Sequence, residues 1–203
     1  MANGRVCTGF SHPVVALYNN DKGTVTYTNG RVLARGVSVS LSLDASDDNK
    51  FYADNVLAES EVGEFGGGTA KLTVDGLLQA SEKMITGLPD PEEVTYGESK
   101  TVNIYRSGKD AKPPYVGIGV VVRYQSDGVE TYVPIILRKA KFNQPGLEAK
   151  TQEEKKDWQT QELEAALHRD DTEKKDWRWI AEDQTSEADA VAILHGILNV
   201  VEE

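Results

Sequence analysis

The chain has 203 residues, a length that suits one domain, and its 39% hydrophobic and 27% charged residues argue against a fibrous or wholly disordered protein. Acidic side chains outnumber basic ones by 33 to 22, which gives a formal net charge of -11. This charge argues against a surface that binds duplex DNA by neutralising phosphates, although solubility alone would also account for it.

The cysteine content and the N-terminus indicate the cellular compartment. Cys7 is the single cysteine, so the chain cannot form an internal disulfide, and we expect it to fold under reducing conditions. The first ten residues lack the apolar core of a signal peptide, and no stretch approaches the ~20 apolar residues that cross a bilayer. The sequence therefore predicts a protein that is not secreted by that route and has no membrane anchor.

Two segments in the first half alternate between apolar and polar residues. Residues 37–43 read VSVSLSL, and residues 69–75 read TAKLTVD. Because successive side chains of a strand point to opposite faces, this alternation predicts two half-buried strands. Between residues 77 and 88 the apolar spacing becomes helical, and Gly87 followed by Pro89 supplies a stop. We expect one short amphipathic helix there, packed against a sheet.

The strongest local pattern is a hairpin centred on Asp127 and Gly128. This dipeptide tolerates the positive φ angles of a tight turn, and β-rich runs lie on both sides of it. Residues 116–122 are Val, Ile or Gly on both faces, so we expect both faces of that strand to be covered. Pro134 lacks a backbone donor, which predicts that the returning strand lies at a sheet edge or breaks at this point.

Two segments near the C-terminus have a composition that favours helix. Residues 147–169 are helix formers by propensity, yet Leu163, Ala165 and Leu167 alternate with other residues, and the charged run at 153–157 suits a hairpin tip. The residues themselves leave helix and strand both open. Residues 186–199 predict a C-terminal helix, capped by Thr185 or Ser186.

Residues 44–68 form a long connection without sustained periodicity. A loop of this length is usually functional or disordered, but this one is rich in large apolar side chains. Either another subunit or the loop's own domain could cover them, and the sequence leaves both open. Residues 1–18 pose the same question, and we expect them to form an N-terminal arm. The six apolar side chains of the connection are Phe51, Tyr52, Val56, Leu57, Val62 and Phe65.

The sequence contains no motif for catalysis or cofactor binding. His12, His168 and His195 are far apart and lack metal-ligand spacing. The glycines at 63 and 68 resemble a phosphate-binding loop, but Thr69 stands where the lysine belongs. The three tryptophans could form a sugar-binding platform, although packing is the commoner role of this residue. We therefore expect no enzyme, no metal and no cofactor.

Several stretches together resemble the major tail proteins of long, non-contractile tailed phages, in the group typical of phages that infect Gram-positive bacteria. They span almost the whole chain and include GRVCTGFSHPVVALY, TNGRVLARGVSVSL, SDDNKFYADN, LTVDGL, PPYVGIGVVVRYQSDGVETYVPIILRKAKFNQP, DWQTQELEA and RDD. The resemblance implies a single tail-tube domain over residues 1–203. Its fold would be mainly β, a β-sandwich of phage tail-tube type flanked by a short α-helix. The resemblance also favours strand within 147–169.

The same resemblance implies a structural role in the virion tail. Six subunits would close a ring, and the rings, assembled in the host cytoplasm, would stack into a channel for double-stranded DNA that passes without specific binding. Further partners would be the tape measure protein, the tail terminator and the distal tail proteins. Two alternatives stay open, namely a tube protein of a phage-tail-like secretion or injection machine, and a monomeric β-sandwich that binds carbohydrate.

Carried onto this chain, the long loop of the family corresponds to residues 44–68. The resemblance implies that this assembly loop touches a neighbouring subunit or ring. Catalytic, cofactor-binding and metal-ligating residues are not expected. The predicted subunit contacts are Asp47, Asp48, Asn49, Phe51, Tyr52, Asp54, Asn55, Val56, Leu57 and Phe65.

Overall fold

The structure is a computed structural model that describes residues 4–45, 49–53, 56–61, 64–147, 149, 151 and 159–201. Within these ranges the protein is mainly β, with antiparallel sheets and two helices. The strands are β1 Val6–Asp21, β2 Thr24–Val32, β3 Gly36–Ala45, β4 Asn49–Ala53, β5 Val56–Glu61, β6 Phe65–Val74, β7 Glu92–Tyr96, β8 Lys100–Ile104, β9 Val116–Ser126, β10 Val129–Phe142, β11 Gln161–His168 and β12 Arg178–Ile180. The helices are α1 Gln79–Thr86 and α2 Glu187–Leu198.

One large sheet has the strand order β2-β1-β9-β10-β11-β6-β3, with β12 beside the middle of β10. Only residues 33–35 join its two edge strands, β2 and β3. In a flat sheet these edges would lie about 29 Å apart, at about 4.8 Å per strand, whereas this link spans at most about 14 Å. The sheet must therefore curl. Phe10 of β1 accordingly lies against Gly36 of β3.

The concave side of the curled sheet encloses the larger core. Alternate residues of β1, β3, β6, β9, β10 and β11 point into it, including Val15 of β1 and Ile118 of β9. Ile85 of α1 is fully buried in the same core, so this helix covers it as expected. Val39 and Leu41 of β3 pack against the core from the edge, which confirms the predicted alternation there. The helix ends at Gly87, whose φ of 63° is the left-handed cap that glycine favours.

The opposite face of the sheet packs against α2. Leu194 and Leu198 of this helix are fully buried with Val14 and Val121. The glycines of the VGIGVVV run allow α2 to lie close to β9, because a side chain on Gly119 would overlap Leu198. Both faces of β9 are therefore covered, as the sequence predicts.

The β9–β10 hairpin turns at Asp127 and Gly128, with φ angles of 52° and 81°. Two positive values identify the predicted tight turn. The prediction that the returning strand lies at a sheet edge or breaks at Pro134 is wrong, since β10 continues through this residue and has neighbouring strands on both sides. Pro134 pairs with Val121 on one side, and on the other its carbonyl accepts a hydrogen bond from Ala181 N at 3.0 Å, at the end of β12. In an antiparallel strand the nitrogen faces the same way as this carbonyl, so the β9–β10 ladder loses no donor.

The N-terminal segment differs from the expected arm. Most of residues 1–18 belongs to β1, which lies between β2 and β9, and Val14 and Val15 are fully buried in the protein's own cores. The sequence showed apolar residues here but not which strands would pair with them. Residues 1–3 lie outside the described ranges.

The two C-terminal segments are resolved in favour of one strand and one helix. β11 within residues 147–169 is a strand, and its alternating Leu163, Ala165 and Leu167 are buried, while residues 153–157 lie outside the described part. The helix predicted for 186–199 is confirmed as α2. The hydroxyl of Ser186 accepts a hydrogen bond from Asp189 N at 3.2 Å and caps it.

Candidate assembly surfaces

Strand β3 is an open edge of the large sheet. Among the described residues it pairs on one side only, with β6. Its ten residues, GVSVSLSLDA, include no Lys, Arg or Pro, the residues that usually discourage pairing at an edge. Val37 and Leu43 on this strand are 55% and 47% exposed. The strand therefore offers unpaired backbone groups and apolar side chains to a partner.

The other edge strand, β2, is partly covered. The nitrogen of Gly30 donates to Asn199 O at 3.1 Å, and the nitrogen of Val201 donates to Gly30 O at 3.2 Å. These bonds place residues 199–201 alongside the second half of β2. No such bond is present along residues 24–28 among the residues described. One subunit thus carries two different sheet edges that can accept a strand.

The convex face of β3, β6 and β11 is polar and ordered in rows. The strand register aligns Ser38 with Thr73 and Glu162, and it aligns Ser40 with Lys71 and Glu164. Ser38 Oγ donates to Thr73 Oγ1 at 2.9 Å. Lys71 Nζ lies 2.6 Å from Glu164 Oε1 and 3.7 Å from Glu162 Oε1, and the hydrogen bond from Lys71 lowers the pKa of Glu164. We call these seven residues the polar face: Ser38, Ser40, Lys71, Thr73, Glu162, Glu164 and the neighbouring Ser42.

The segment 44–68, predicted as a loop without regular structure, differs from that expectation. β3 extends to Ala45, β6 begins at Phe65, and β4 and β5 pair as an antiparallel hairpin between them. The alternation that marks a strand is broken here by a register shift between Phe51 and Tyr52. The segment is therefore a hairpin that extends from one end of the large sheet.

This hairpin brings together several of the predicted contact residues. Asn49, Phe51 and Tyr52 lie on β4, and Val56 and Leu57 lie on β5. Tyr52 is paired with Leu57 across the ladder. Four of the predicted contacts lie outside the described residues, namely Asp47, Asp48, Asp54 and Asn55.

Phe65, the last predicted contact, packs within its own chain. Its ring stacks on Trp177 with centroids 4.6 Å apart and planes 5° apart, and the side chain lies against the inner core. Arg169 Nη2 donates to the Phe65 carbonyl at 2.9 Å and to Glu64 at 2.8 Å. The prediction that Phe65 serves as a subunit contact missed this partner because Trp177 is distant in sequence.

A buried ion pair joins β10 to the loop after β11. Arg138 Nε and Nη2 donate to Asp170 Oδ2 at 3.0 and 2.8 Å, and the two side chains are 3% and 0% exposed. Thr172 donates to the other oxygen of Asp170 at 2.7 Å. Burial raises the pKa of Asp170, but the hydrogen bonds from Thr172 and Arg138 outweigh it, so the pKa lies below its usual value. The pair fixes the loop against the sheet.

The next residue of this loop makes a second, partly exposed network. Lys139 Nζ donates to Asp171 Oδ2 at 2.8 Å, and Tyr18 Oη donates to the same atom at 2.9 Å. The hydrogen bond from Lys139 lowers the pKa of Asp171, and burial raises the pKa of Tyr18 to about 12. Each residue of the sequence motif Arg-Asp-Asp thus forms hydrogen bonds with a different part of the chain: Arg169 with Glu64 and Phe65, Asp170 with Arg138, and Asp171 with Lys139. Its only sequence signal is a run of charges directly after an apolar strand.

Hairpin β7–β8 was not predicted from the sequence. Its register places Val94 opposite Val102, and Glu92 opposite Ile104. Tyr96 lies on the same face as these residues. Lys100, which pairs with Tyr96, is on this face as well. The other face carries Glu93, Thr95, Thr101 and Asn103, so the large apolar side chains lie on one face, together with Glu92 and Lys100.

A groove with an apolar floor and a basic rim lies between α1 and strands β1 and β2. Its volume is about 610 Å³. Leu17, Met84 and Leu88 contribute apolar lining, and Arg31, Lys83 and Lys112 contribute positive charge; the remaining lining residues are Asn29, Ala80, Gly87 and Pro114. Lys83 pairs with Asp90 at 2.7 Å. The described residues supply no ion pair to Arg31 or Lys112, and the Nε of Arg31 is buried there without a hydrogen-bond partner.

The structure places two of the three tryptophans considered for carbohydrate binding. Trp177 stacks on Phe65 and lies under Arg178, and the guanidinium of Arg138 lies 3.5 Å from the ring centroid of Trp179. Trp158 lies outside the described residues. No cluster of three or more His, Cys, Asp or Glu within the described ranges is arranged to hold a metal ion. None of the helices described is both long and apolar enough to span a membrane.

A scan of the sequence against protein-family models gives no match, and a search of curated proteins gives no significant match.

Proposed function

We propose that this protein is the tail-tube subunit of a long, non-contractile tailed phage, a structural protein whose copies form stacked rings around a channel for the genome. The observation that carries the proposal is the open edge of β3. Beyond Gly36, which lies against Phe10 of β1, this edge carries the exposed Val37 and Leu43 and none of the basic or proline residues that protect edges. A strand of this kind in a native protein needs a partner, and a second copy of the chain is a partner that is always present.

Two different edges favour a ring over a simple dimer. The free edge of β3 and the open first half of β2 lie on one subunit, and pairing one with the other is a head-to-tail contact. Contacts of this type close into a ring when the rotation between subunits completes a circle, and otherwise they grow into a filament. Either result removes the exposed edges, and rings that stack make a tube.

The polar face supplies a suitable wall for the channel. Its three serines and one threonine are neutral, and its one cation, Lys71, is held between Glu162 and Glu164. A wall that neutralised DNA phosphates would bind the genome and slow it, whereas hydroxyl groups and excess carboxylates do not. With six copies, the formal charge of -11 per chain gives about -66 per ring. The genome would then slide past a wall that repels it.

Charged substitutions on the edge strand test the proposal. The double variant Val37→Lys/Leu43→Lys places two cations on β3 at exposed positions, so the subunit should fold but lose the strand contact. Val129→Lys is the matched control, because Val129 is 62% exposed but lies beside the β9–β10 turn. Negative-stain electron microscopy should show rings or tubes for the unmodified protein and the control, and single subunits for the double variant. Normal tubes from a folded double variant would refute the role of this edge.

A further inference from the structure

Hairpin β4–β5 combines negative charge with large apolar residues. Residues 47–61 have a net charge of -4, because they include five acidic residues and one basic residue. A segment of this composition fits a surface that is both apolar and positively charged. The acidic residues are Asp47, Asp48, Asp54, Glu59 and Glu61, the basic one is Lys50, and the large apolar ones are Phe51, Tyr52, Val56 and Leu57.

The register of this hairpin groups apolar and acidic positions together. The β4–β5 pairing aligns Phe51 with Glu59, and Asn49 with Glu61. Positions directly opposite each other, and positions two apart on one strand, share a face. Phe51, Glu59 and Glu61 are therefore on one face of the hairpin, and Lys50, which is aligned with Ser60, is on the other.

The groove between α1 and strands β1 and β2 has the complementary chemistry. Its floor includes Leu17 and Met84, and its volume is about 610 Å³. Arg31 and Lys112 on its rim have no ion pair among the described residues, and the buried Nε of Arg31 has no hydrogen-bond partner there. A carboxylate is the natural acceptor for such a donor. The groove thus suits a segment that presents carboxylates beside apolar residues.

The hairpin and the groove are at opposite ends of the strands. β6 ends at Val74 and leads into α1, whose Ser81 Oγ donates to Val32 O, at the end of β2, at 2.8 Å. The first residue of β3 pairs with Val74, and its last residue, Ala45, pairs with Phe65. Hairpin β4–β5 lies between these last two residues in the chain. The ten residues of β3 separate the two ends by about 30 Å.

This separation prescribes the direction in which copies would join. Pairing at the β3 edge extends across the strands, whereas a contact between opposite ends extends along them. The end-to-end contact joins different surfaces of identical subunits, so it repeats from each copy to the next. A contact of this kind stacks one ring on another.

We propose that hairpin β4–β5 of one subunit docks into the groove between α1 and strands β1 and β2 of a subunit in the adjacent ring. The inference rests on the proposed function, because the partner is another copy of the chain, and it names the surface that receives the hairpin. Docking covers the apolar floor and gives Arg31 and Lys112 acidic neighbours.

Site-directed cross-linking tests this contact. In a Cys7→Ser background, Val56→Cys marks the hairpin and Ala80→Cys marks the groove, which Ala80 lines. Treatment of the concentrated protein with a short bis-maleimide should give covalent dimers, trimers and larger oligomers on a denaturing gel. The matched control replaces Ala80→Cys with Ala192→Cys, an exposed alanine on α2 that lies outside the groove. The control should give at least severalfold less cross-linked product.

Equal cross-linking in the two variants, or monomer only in the variant with Ala80→Cys, would overturn the docking. Adding Lys112→Glu should reduce cross-linking severalfold without changing the circular dichroism spectrum. The further changes Glu59→Lys and Glu61→Lys should then restore most of it, because they exchange the two charges. Cross-linking that Lys112→Glu leaves unchanged, or that the exchange fails to restore, would contradict the pairing of an acidic hairpin with a basic rim.

Electron microscopy of the same samples separates this inference from the proposed function. Tubes without cross-linked oligomers contradict the docking of the hairpin alone. Cross-linked oligomers without rings or tubes contradict the tail-tube function and leave the contact in place.

Discussion

Leu198, the last residue of α2, packs directly onto Gly119 in the middle of β9. A Cβ atom at position 119 would lie 2.6 Å from Leu198 Cδ1 and 2.8 Å from Val14 Cγ2, both in fully buried residues. We expect Gly119→Ala to lower the free energy of unfolding by about 1–3 kcal/mol, because a well-packed core does not accept an extra methyl group. Urea denaturation followed by circular dichroism measures this change.

Gly196 provides the control for this prediction in the same helix. A Cβ atom there meets nothing within 4 Å, so Gly196→Ala should raise stability by about 0.5–1 kcal/mol through helix propensity. If both substitutions changed the free energy of unfolding in the same direction, close contact between α2 and β9 would not be the reason for the glycine at 119.

The buried pair of Arg138 and Asp170 should dominate the charged contributions to stability. Asp170→Asn leaves the guanidinium buried without its counter-ion, which we expect to cost about 3–5 kcal/mol. Asp183→Asn is the comparison, since Asp183 pairs with Arg5 at 2.7 Å with both side chains more than 40% exposed. That loss should be much smaller, because solvent screens an exposed pair. Similar costs for the two variants in urea denaturation would contradict the burial of the first pair.

The protein should become less stable in acid because of Asp170 and Asp171, in the loop after β11. The pKa values of Asp170 and Asp171 are lowered in the folded protein, so each group adds stability above its unfolded pKa of about 3.9. That contribution is lost as the pH falls through the lower, folded pKa. We expect the free energy of unfolding to decrease from about pH 5 downward, and to decrease less steeply in Asp171→Asn. An equal pH dependence in the variant would exclude Asp171 as a source.

Much of the fold follows from short-range pattern, and what fails depends on distant partners. Alternation identifies β3 and β6, and the Asp127–Gly128 turn with its apolar flanks identifies the β9–β10 hairpin, because these signals lie within a few residues of one another. The sequence alone does not predict whether β11 is a strand, because its residues favour helix by propensity. Its pairing within the sheet makes it a strand, in which Leu163 and Leu167 are buried. Hairpin β7–β8 has only one pair of apolar residues, Val94 with Val102, and its sequence shows no clear period.

The candidate surface was harder to predict for the same physical reason. Asn49 to Leu57 form a hairpin whose register shift hides the alternation. Phe65 resembles its apolar neighbours in sequence, but only the fold brings Trp177 against it. The openness of the β3 edge depends on the order of all seven strands, which local sequence does not encode.

Phe65 should therefore act on stability. We expect Phe65→Ala to lower the free energy of unfolding by roughly 2 kcal/mol, less than for a fully buried phenylalanine, because it removes the stack on Trp177. Trp177 emission should also shift. Assembly of the folded variant should be unchanged, as judged by electron microscopy below its unfolding temperature. Loss of assembly with unchanged stability would instead support the prediction that Phe65 is a subunit contact.

The hairpin within residues 44–68 should act on assembly. Deleting residues 47–62 is compatible with the fold, because Ala45 and Phe65 face each other across the β3–β6 ladder and three residues remain to join them. We expect the shortened subunit to keep its circular dichroism spectrum and to fail to stack into tubes. Tubes of normal length from this variant would show that the hairpin has no role in assembly.

Electron microscopy of the unmodified protein, purified and concentrated, tests the central claim most directly, because every proposed contact joins two copies of the chain. The account predicts closed rings, or tubes built from stacked rings, with an open central channel. A sample that stays monomeric at every concentration in solution, with no rings in the images, would contradict it.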